Sequence, residues 1–341
     1  MPSSRPFAGA AALVATALLL SACAPAAGSG NDDSLSLYSG RDEELVQPLI
    51  DRFEEETGIE VEVRYGNTAE MAALLLEEGE DTPADVFLSQ DAGALGAISD
   101  AGLFESLPED LTATVPAGFT STDGSWIGIT GRARVIAYDG QALSEDDVPD
   151  SVDAFTTPEW AGRFGIAPGN ASFQAFVTAY RVLRGEDAAD AWVEGIAAND
   201  PQIFDNNRAI LAAVNDGALE AGLLNHYYWF GMAEEVGADS MRAQLKFPAA
   251  GDPGAIVNVT GAGMLAGGAG DDDALALLEF LVSEEGQEYF VDEVHEYPLV
   301  EGVDAPEGLP ALESLVNPDL DLADLASLSE TQELLSKHGL L

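Results

Sequence analysis

Residues 35–65 read LSLYSGRDEELVQPLIDRFEEETGIEVEVRY, and three segments of alternating strand and helix character follow one another in them. Residues 35–39 predict a short strand. From Leu45 the apolar residues Val46, Leu49, Ile50 and Phe53 return at helical spacing behind an acidic first turn, which the helix dipole favours. Gly58 stops that helix. Ile59, Val61, Val63 and Tyr65 then alternate with Glu60, Glu62 and Arg64, the period of a strand with one buried face. Residues 68–78 predict a second helix, broken by Pro83, and residues 85–89 a third strand. The order strand, helix, strand, helix, strand implies a parallel sheet covered by helices.

Working outward, residues 91–101 predict a helix, and residues 126–130 and 132–138 predict two strands. A second α/β series follows: strands at 163–167 and 219–224, and helices at 171–183, 188–197 and 208–216. A helix is expected after Tyr228 to about Val236, extended segments near Leu245 and at 256–260, and a helix at 273–283. Small helices follow Pro306. Two α/β units joined by extended segments suggest two lobes about a cleft, where ligands bind near the carboxyl ends of strands. Nothing recurs at solenoid spacing.

The 341 residues carry 61 Asp and Glu against 13 Lys and Arg, a formal charge of −48, yet 47% of them are apolar. A disordered acidic chain lacks that apolar content, so a folded chain of one large or two moderate domains is expected. Nucleic acid is excluded as a partner, because phosphates require a basic face. The acidity reads as a solvated surface.

Residues 1–22 contain one cation, Arg5, and an apolar run of 14 residues from Phe7 to Leu20. A spanning helix needs ~20, so the run reads as a signal peptide. Leu20-Ser21-Ala22-Cys23 follows and ends in the one cysteine of the chain. It resembles the lipobox of bacterial lipoproteins, which implies acylation at Cys23. With Cys23 acylated, no thiol remains for a disulfide, a redox site or a thiolate metal site. Residues 23–33 read as a flexible, lipid-anchored tether. No later segment is long and apolar enough to cross a membrane, so the acidity belongs to an exported domain held to the outer face by lipid.

Enzymatic signatures are missing. There is no G-x-S-x-G elbow, no H-E-x-x-H and no G-x-x-x-x-G-K loop. Gly261 to Ala266 fits a relaxed dinucleotide fingerprint, but Gly267 to Gly270 delay the helix that should hold the pyrophosphate. His226, His295 and His338 lie far apart in sequence.

Asn225-His226-Tyr227-Tyr228-Trp229 follows a strand and opens a helix. On these residues alone, a buried core pair with satisfied hydroxyls and a ligand pair both remain open. Further pieces surround the motif: Tyr38-Ser39-Gly40-Arg41, FEEETG at 53–58, PADVFL at 83–88, WIGITGRARVIAY at 126–138, PGNASFQ at 168–174 and Glu296-Tyr297-Pro298. In this order and spacing, over residues 37–303, the chain resembles the ferric-iron-binding proteins that serve bacterial ABC importers.

The resemblance implies an α/β, two-lobed periplasmic-binding-protein fold of type II, the Venus flytrap, with crossover strands as its hinge. Its lobes would comprise residues 34–131 plus 258–305 and residues 132–257 plus 306–341. It implies Fe(III) as cargo on Tyr227 and Tyr228. Ferric ion is a small, hard acid that favours anionic oxygen, and a phenol of ordinary pKa ~10 yields its proton to such a charge. Adjacent residues at a helix start can both face one ion, which strand neighbours cannot.

Other ligands depart from the relatives. Gln90, a further metal candidate, stands where some have glutamate; Asp42 stands where some have histidine; some have a third tyrosine near Ser172. Carbonate or phosphate is therefore expected as a synergistic anion. Arg41 with Arg132 or Arg134 would offer it guanidinium forks, and Asn170, Ala171 and Ser172 a helix N-terminus. Asn207 and Asn225 match anion-contacting asparagines, whereas Tyr38 and Tyr138 are expected as strand residues. The implied partners are an ABC permease and its cytoplasmic ATPase, with the protein a monomer and not an enzyme. One rival reading keeps the fold but binds an anion or small organic solute, such as a phosphonate or thiamine, on the arginines. A secreted enzyme or structural lipoprotein is the other rival.

Overall fold

The computed structural model describes residues 34–317, 320 and 322–341. The expected signal peptide, the tether and Cys23 lie outside the described residues. The first unit runs β1 (Leu35–Ser39), α1 (Glu43–Thr57), β2 (Val61–Tyr65), α2 (Thr68–Glu78) and β3 (Val86–Ser89). β1 lies between β2 and β3 and parallel to both, as helical crossovers require. α1 buries Val46, Leu49, Ile50 and Phe53 and stops at Gly58, whose φ of 76° costs glycine no Cβ clash.

After α3 (Ala92–Asp100) and α4 (Glu109–Thr112) comes β4 (Ile127–Asp139). The two strands expected here are one strand of 13 residues, buried at every position. Burial on both faces removes the alternation that would have joined them, and Gly131 looked like a break. It instead admits a neighbouring strand, since a Cβ on it would stand 3.3 Å from Cβ of Tyr297. Next come β5 (Phe164–Ile166), α5 (Ala171–Arg184), α6 (Glu186–Ala198), β6 (Gln202–Ile203), α7 (Asn207–Asn215), β7 (Ala221–Asn225), α8 (Tyr227–Val236) and β8 (Ala243–Lys246). β9 (Val257–Met264), α9 (Asp272–Leu281), α10 (Glu284–Asp292), β10 (Tyr297–Pro298) and α11 (Leu328–Lys337) complete the chain. α10 has no counterpart in the sequence reading.

The strands join in the order β2-β1-β3-β9-β4-β7-β5-β6, with β8 and β10 also on β4. β4 belongs to both halves. Residues 127–133 pair with β9, and residues 134–138 pair with β7. The molecule is thus the two-lobed α/β fold of periplasmic binding proteins, its two units meeting along β4. The glycine-rich stretch from Gly261 falls inside β9 and cradles no phosphate: added Cβ atoms would meet the Ile127 carbonyl at 2.8 Å and, at Gly263, the Phe104 ring at 2.6 Å. Among the described residues no helix is long and apolar enough to cross a membrane.

β4 ends at Asp139. Its Oδ1 accepts from Arg242 Nε at 2.6 Å and from the Gln141 amide at 2.9 Å. The Arg242 hydrogen bonds hold its carboxyl below the ordinary range. A depressed folded-state pKa stabilises above the unfolded value of ~3.9 and is lost as pH falls below it. Asp139→Asn should therefore cost about 1–2 kcal/mol at pH 7 and progressively less below about pH 4. Melting at both pH values checks this, and an equal loss at each would contradict it.

Candidate metal and anion site

Arg132 and Arg134 stand two apart on an extended strand and so project from one face of β4. Arg41 arrives from the loop after β1. They are 1%, 4% and 2% exposed respectively. Arg41 Nη1 donates to Thr260 Oγ1 at 2.7 Å and to Glu296 Oε1 at 2.8 Å. Glu296, fully buried, also accepts from the Thr130 hydroxyl. Burial is the largest influence and opposes the Arg41 charge, but Glu296 with Tyr227 and Tyr228 together hold the guanidinium above its ordinary range.

Arg132 Nη2 donates to the Val259 carbonyl at 3.4 Å, but much of the remaining guanidinium edge lacks a hydrogen-bond partner. Nε and Nη2 of Arg41, Nε and Nη1 of Arg132 and Nη2 of Arg134 are buried without a hydrogen-bond partner. Burial, followed by the charge of Arg132, pulls Arg134 down to about 9. An unpaired buried charge costs several kcal/mol, so these edges mark a place where an anion would be stabilised.

β7 ends at Asn225, in register with Arg134. The helix begins at Tyr227 rather than after the pair, because His226 is already helical. Both tyrosines therefore leave the first turn of α8 on one side, with ring centroids 4.2 Å apart. The Arg41 guanidinium lies 5.9 Å from the centroid of the Tyr227 ring. The buried Tyr227 hydroxyl makes no hydrogen bond of good geometry and interacts with the hydroxyl of Tyr228, whereas the hydroxyls of a core pair would be satisfied by groups outside the pair. Burial first, then the adjacent Tyr227, pushes the Tyr228 phenol well above its ordinary range; Asp42 adds to this and Arg41 opposes it.

Around this centre the other expected residues fall as follows. Asn225 Oδ1 and Ser172 Oγ each accept from Arg134 Nη1 at 3.4 Å. Asn170 caps α5, accepting the Ser172 amide at 3.1 Å and the Ser172 hydroxyl at 2.6 Å. The Ser172 amide is thus spent on its own cap, and only its hydroxyl reaches Arg134. Asn207 donates to Asn170 Oδ1 at 3.3 Å and Ser172 Oγ at 3.1 Å, and its free atom is Oδ1. Ala171 is buried at the first position of α5. Gln90 lines a 280 Å³ cavity with Asp42, Asn170, Asp205 and Tyr228. Both tyrosines line a second, 520 Å³ groove with Glu44, Arg208, Glu234 and His295. Tyr38 donates elsewhere, to Glu78 at 3.3 Å, and Tyr138 pairs with Ala221.

Sequence reasoning missed Glu296, Thr130, Thr260 and Asn258. Asn258 lies opposite Arg132 in β9 and has a buried amide without a partner. The available signal was Glu296 itself, an acid in the Glu296-Tyr297-Pro298 motif already singled out. Among the described residues no three His, Cys, Asp or Glu are grouped to hold a metal ion, so a metal here would rely on the phenols.

A profile of the bacterial extracellular solute-binding protein family matches residues 81–323. The chain is 34% identical over 334 residues to the Fe(3+)-binding periplasmic protein of Serratia marcescens, covering 98% of each. Its fold is similar to that of iron-bound HitA from Pseudomonas aeruginosa, with a TM-score of 0.85, 34% identity, and coverage of 90% of this chain and 99% of that one. It is also similar to a Trichodesmium protein in complex with iron and citrate ligands, with a TM-score of 0.76, 26% identity, and coverage of 90% and 100%.

Proposed function

This chain belongs to the bacterial extracellular solute-binding protein family, and from that premise we propose that it captures Fe(III) through Tyr227, Tyr228 and a synergistic anion. It is a binding protein and not an enzyme. The observation that carries the reading is the buried Tyr227 hydroxyl, which makes no hydrogen bond of good geometry, interacts with Tyr228 and lies beside guanidinium edges that lack partners.

Charge arithmetic supports the pairing. Two phenolates leave a ferric ion with one positive charge, and three guanidinium groups face two buried carboxylates, Glu296 at Arg41 and Asp91 near Arg132. A carbonate or phosphate between them would answer both excesses, with Gln90 as a neutral oxygen donor at the rim. The Trichodesmium relative is in complex with iron and citrate ligands. The lobes would divide at residues 131/132 and 257/258 and close over the ion. Export behind the signal peptide and acylation of Cys23 would leave a monomer anchored to the outer face of the membrane. From there it would deliver iron to an ABC permease driven by a cytoplasmic ATPase.

Titration with Fe(III) in bicarbonate, in phosphate and in neither tests the reading. The expected result is a visible phenolate-to-iron band and a raised melting temperature only when metal and anion are both present. A rise in melting temperature with a phosphonate or thiamine, and no band with iron, would move the cargo to an organic solute. Arg134→Met should weaken iron binding about 10–100-fold while keeping the band, as loss of a metal's outer-shell partner does.

A further inference from the structure

His226 stands beside the tyrosine pair, and neither coordination nor anion binding uses it. It is fully buried. In the antiparallel ladder, the pair after Arg134 and Asn225 would be Ala133 and His226. Half of that pair forms, for the His226 amide donates to the Ala133 carbonyl at 3.0 Å. The other half cannot. His226 has already turned helical, with φ −60° and ψ −41°, and its carbonyl accepts from Trp229 at 3.0 Å.

The imidazole takes the place of that carbonyl: the Ala133 amide donates to Nδ1 at 3.2 Å. The Ala133 carbonyl, 3.3 Å from Nδ1, is engaged by the His226 amide. With Nδ1 an acceptor, the ring proton belongs on Nε2. Nε2 donates to the His295 carbonyl at 2.9 Å. His295 holds a φ of 60°, which a non-glycine residue keeps only when its surroundings impose it. The next residue, Glu296, holds Arg41. The ring also packs on Tyr297, at 5.1 Å between centroids, and edge-on to Tyr227 at 5.9 Å. One side chain therefore links the start of the tyrosine-bearing helix, the middle of β4 and the segment that fixes Arg41.

We propose that His226 is a positioning residue for cargo capture: its Nε2–H bond to the His295 carbonyl sets Tyr227 and Tyr228 against the Arg41–Glu296 pair. This rests on the Fe(III) reading above. Two variants separate the two bonds of the ring. In His226→Asn the amide can accept from Ala133 but cannot reach His295. In His226→Gln the amide nitrogen can occupy the place of Nε2 and donate to His295.

The test is Fe(III) titration in bicarbonate with wild type and both variants, reading the band maximum, the affinity against a competing chelator, and the melting temperature of the metal-free protein. His226→Asn should lose about 10–100-fold in affinity, the range for outer-shell partners, with a displaced band maximum. His226→Gln should recover most of both. If wild type gives the band and both variants keep its position and affinity, the inference fails alone. It also fails alone if both variants lose affinity equally in step with a lower metal-free melting temperature. A wild type with no band overturns the Fe(III) reading and this inference with it.

Discussion

Replacing Tyr227 and Tyr228 together by Phe is expected to abolish both the phenolate-to-iron band and measurable Fe(III) binding, while the metal-free protein keeps its fold. The two halves of this expectation have separate causes. Phenylalanine preserves the ring contact at 4.2 Å and the apolar area that the pair buries. Any contact between the Tyr227 and Tyr228 hydroxyls loses both of its partners at once, and replacing both partners by apolar groups of the same shape is nearly neutral or stabilising. Metal binding has no comparable substitute. Outer-shell partners cost about 10–100-fold when removed, so each single Tyr→Phe should lower affinity by more than about 100-fold and weaken the band. A band that persists in the double variant would remove the tyrosines from the site.

Glu296→Leu should destabilise the protein by about 3–5 kcal/mol, because it strands Arg41 in a fully buried position without its counter-charge. Burial is what makes the effect large: the pair is 2.8 Å apart, with side chains 1% and 0% exposed. Adding Arg41→Met should recover most of the loss, since replacing a buried ion pair by apolar groups is often neutral. Chemical denaturation of the two single variants and the double variant closes the cycle. The double variant should still fail to bind iron with wild-type affinity, because Arg41 is one of the proposed anion contacts. Additive losses in the cycle would mean that Arg41 and Glu296 do not depend on each other.

The alternation in β2 and the apolar stripe of α1 were legible because one face of each is covered, half-buried in β2 and buried in α1, and the other is wet. β4 was not, since burial of all 13 residues erased its period and Gly131 imitated a turn. The motif at Asn225 to Trp229 could be located and set at a strand end and a helix start, but the first residue of α8 was blurred by a residue or two, because a histidine that turns helical at a strand end leaves no compositional mark. The arginines were found one by one. Their arrangement was hidden: Arg41 meets Glu296 across 255 residues, and no local pattern encodes a contact of that separation. The negative balance of −48 likewise says little about a centre in which three of the 13 basic residues lie buried.

The most direct test is a crystal structure grown with Fe(III) and bicarbonate, with anomalous data collected at the iron edge. The account predicts one iron peak bonded to the oxygens of both Tyr227 and Tyr228, and an anion between that iron and the guanidinium groups of Arg41, Arg132 and Arg134. An ordered solute or anion on the arginines, with no iron peak beside the tyrosines, would contradict it.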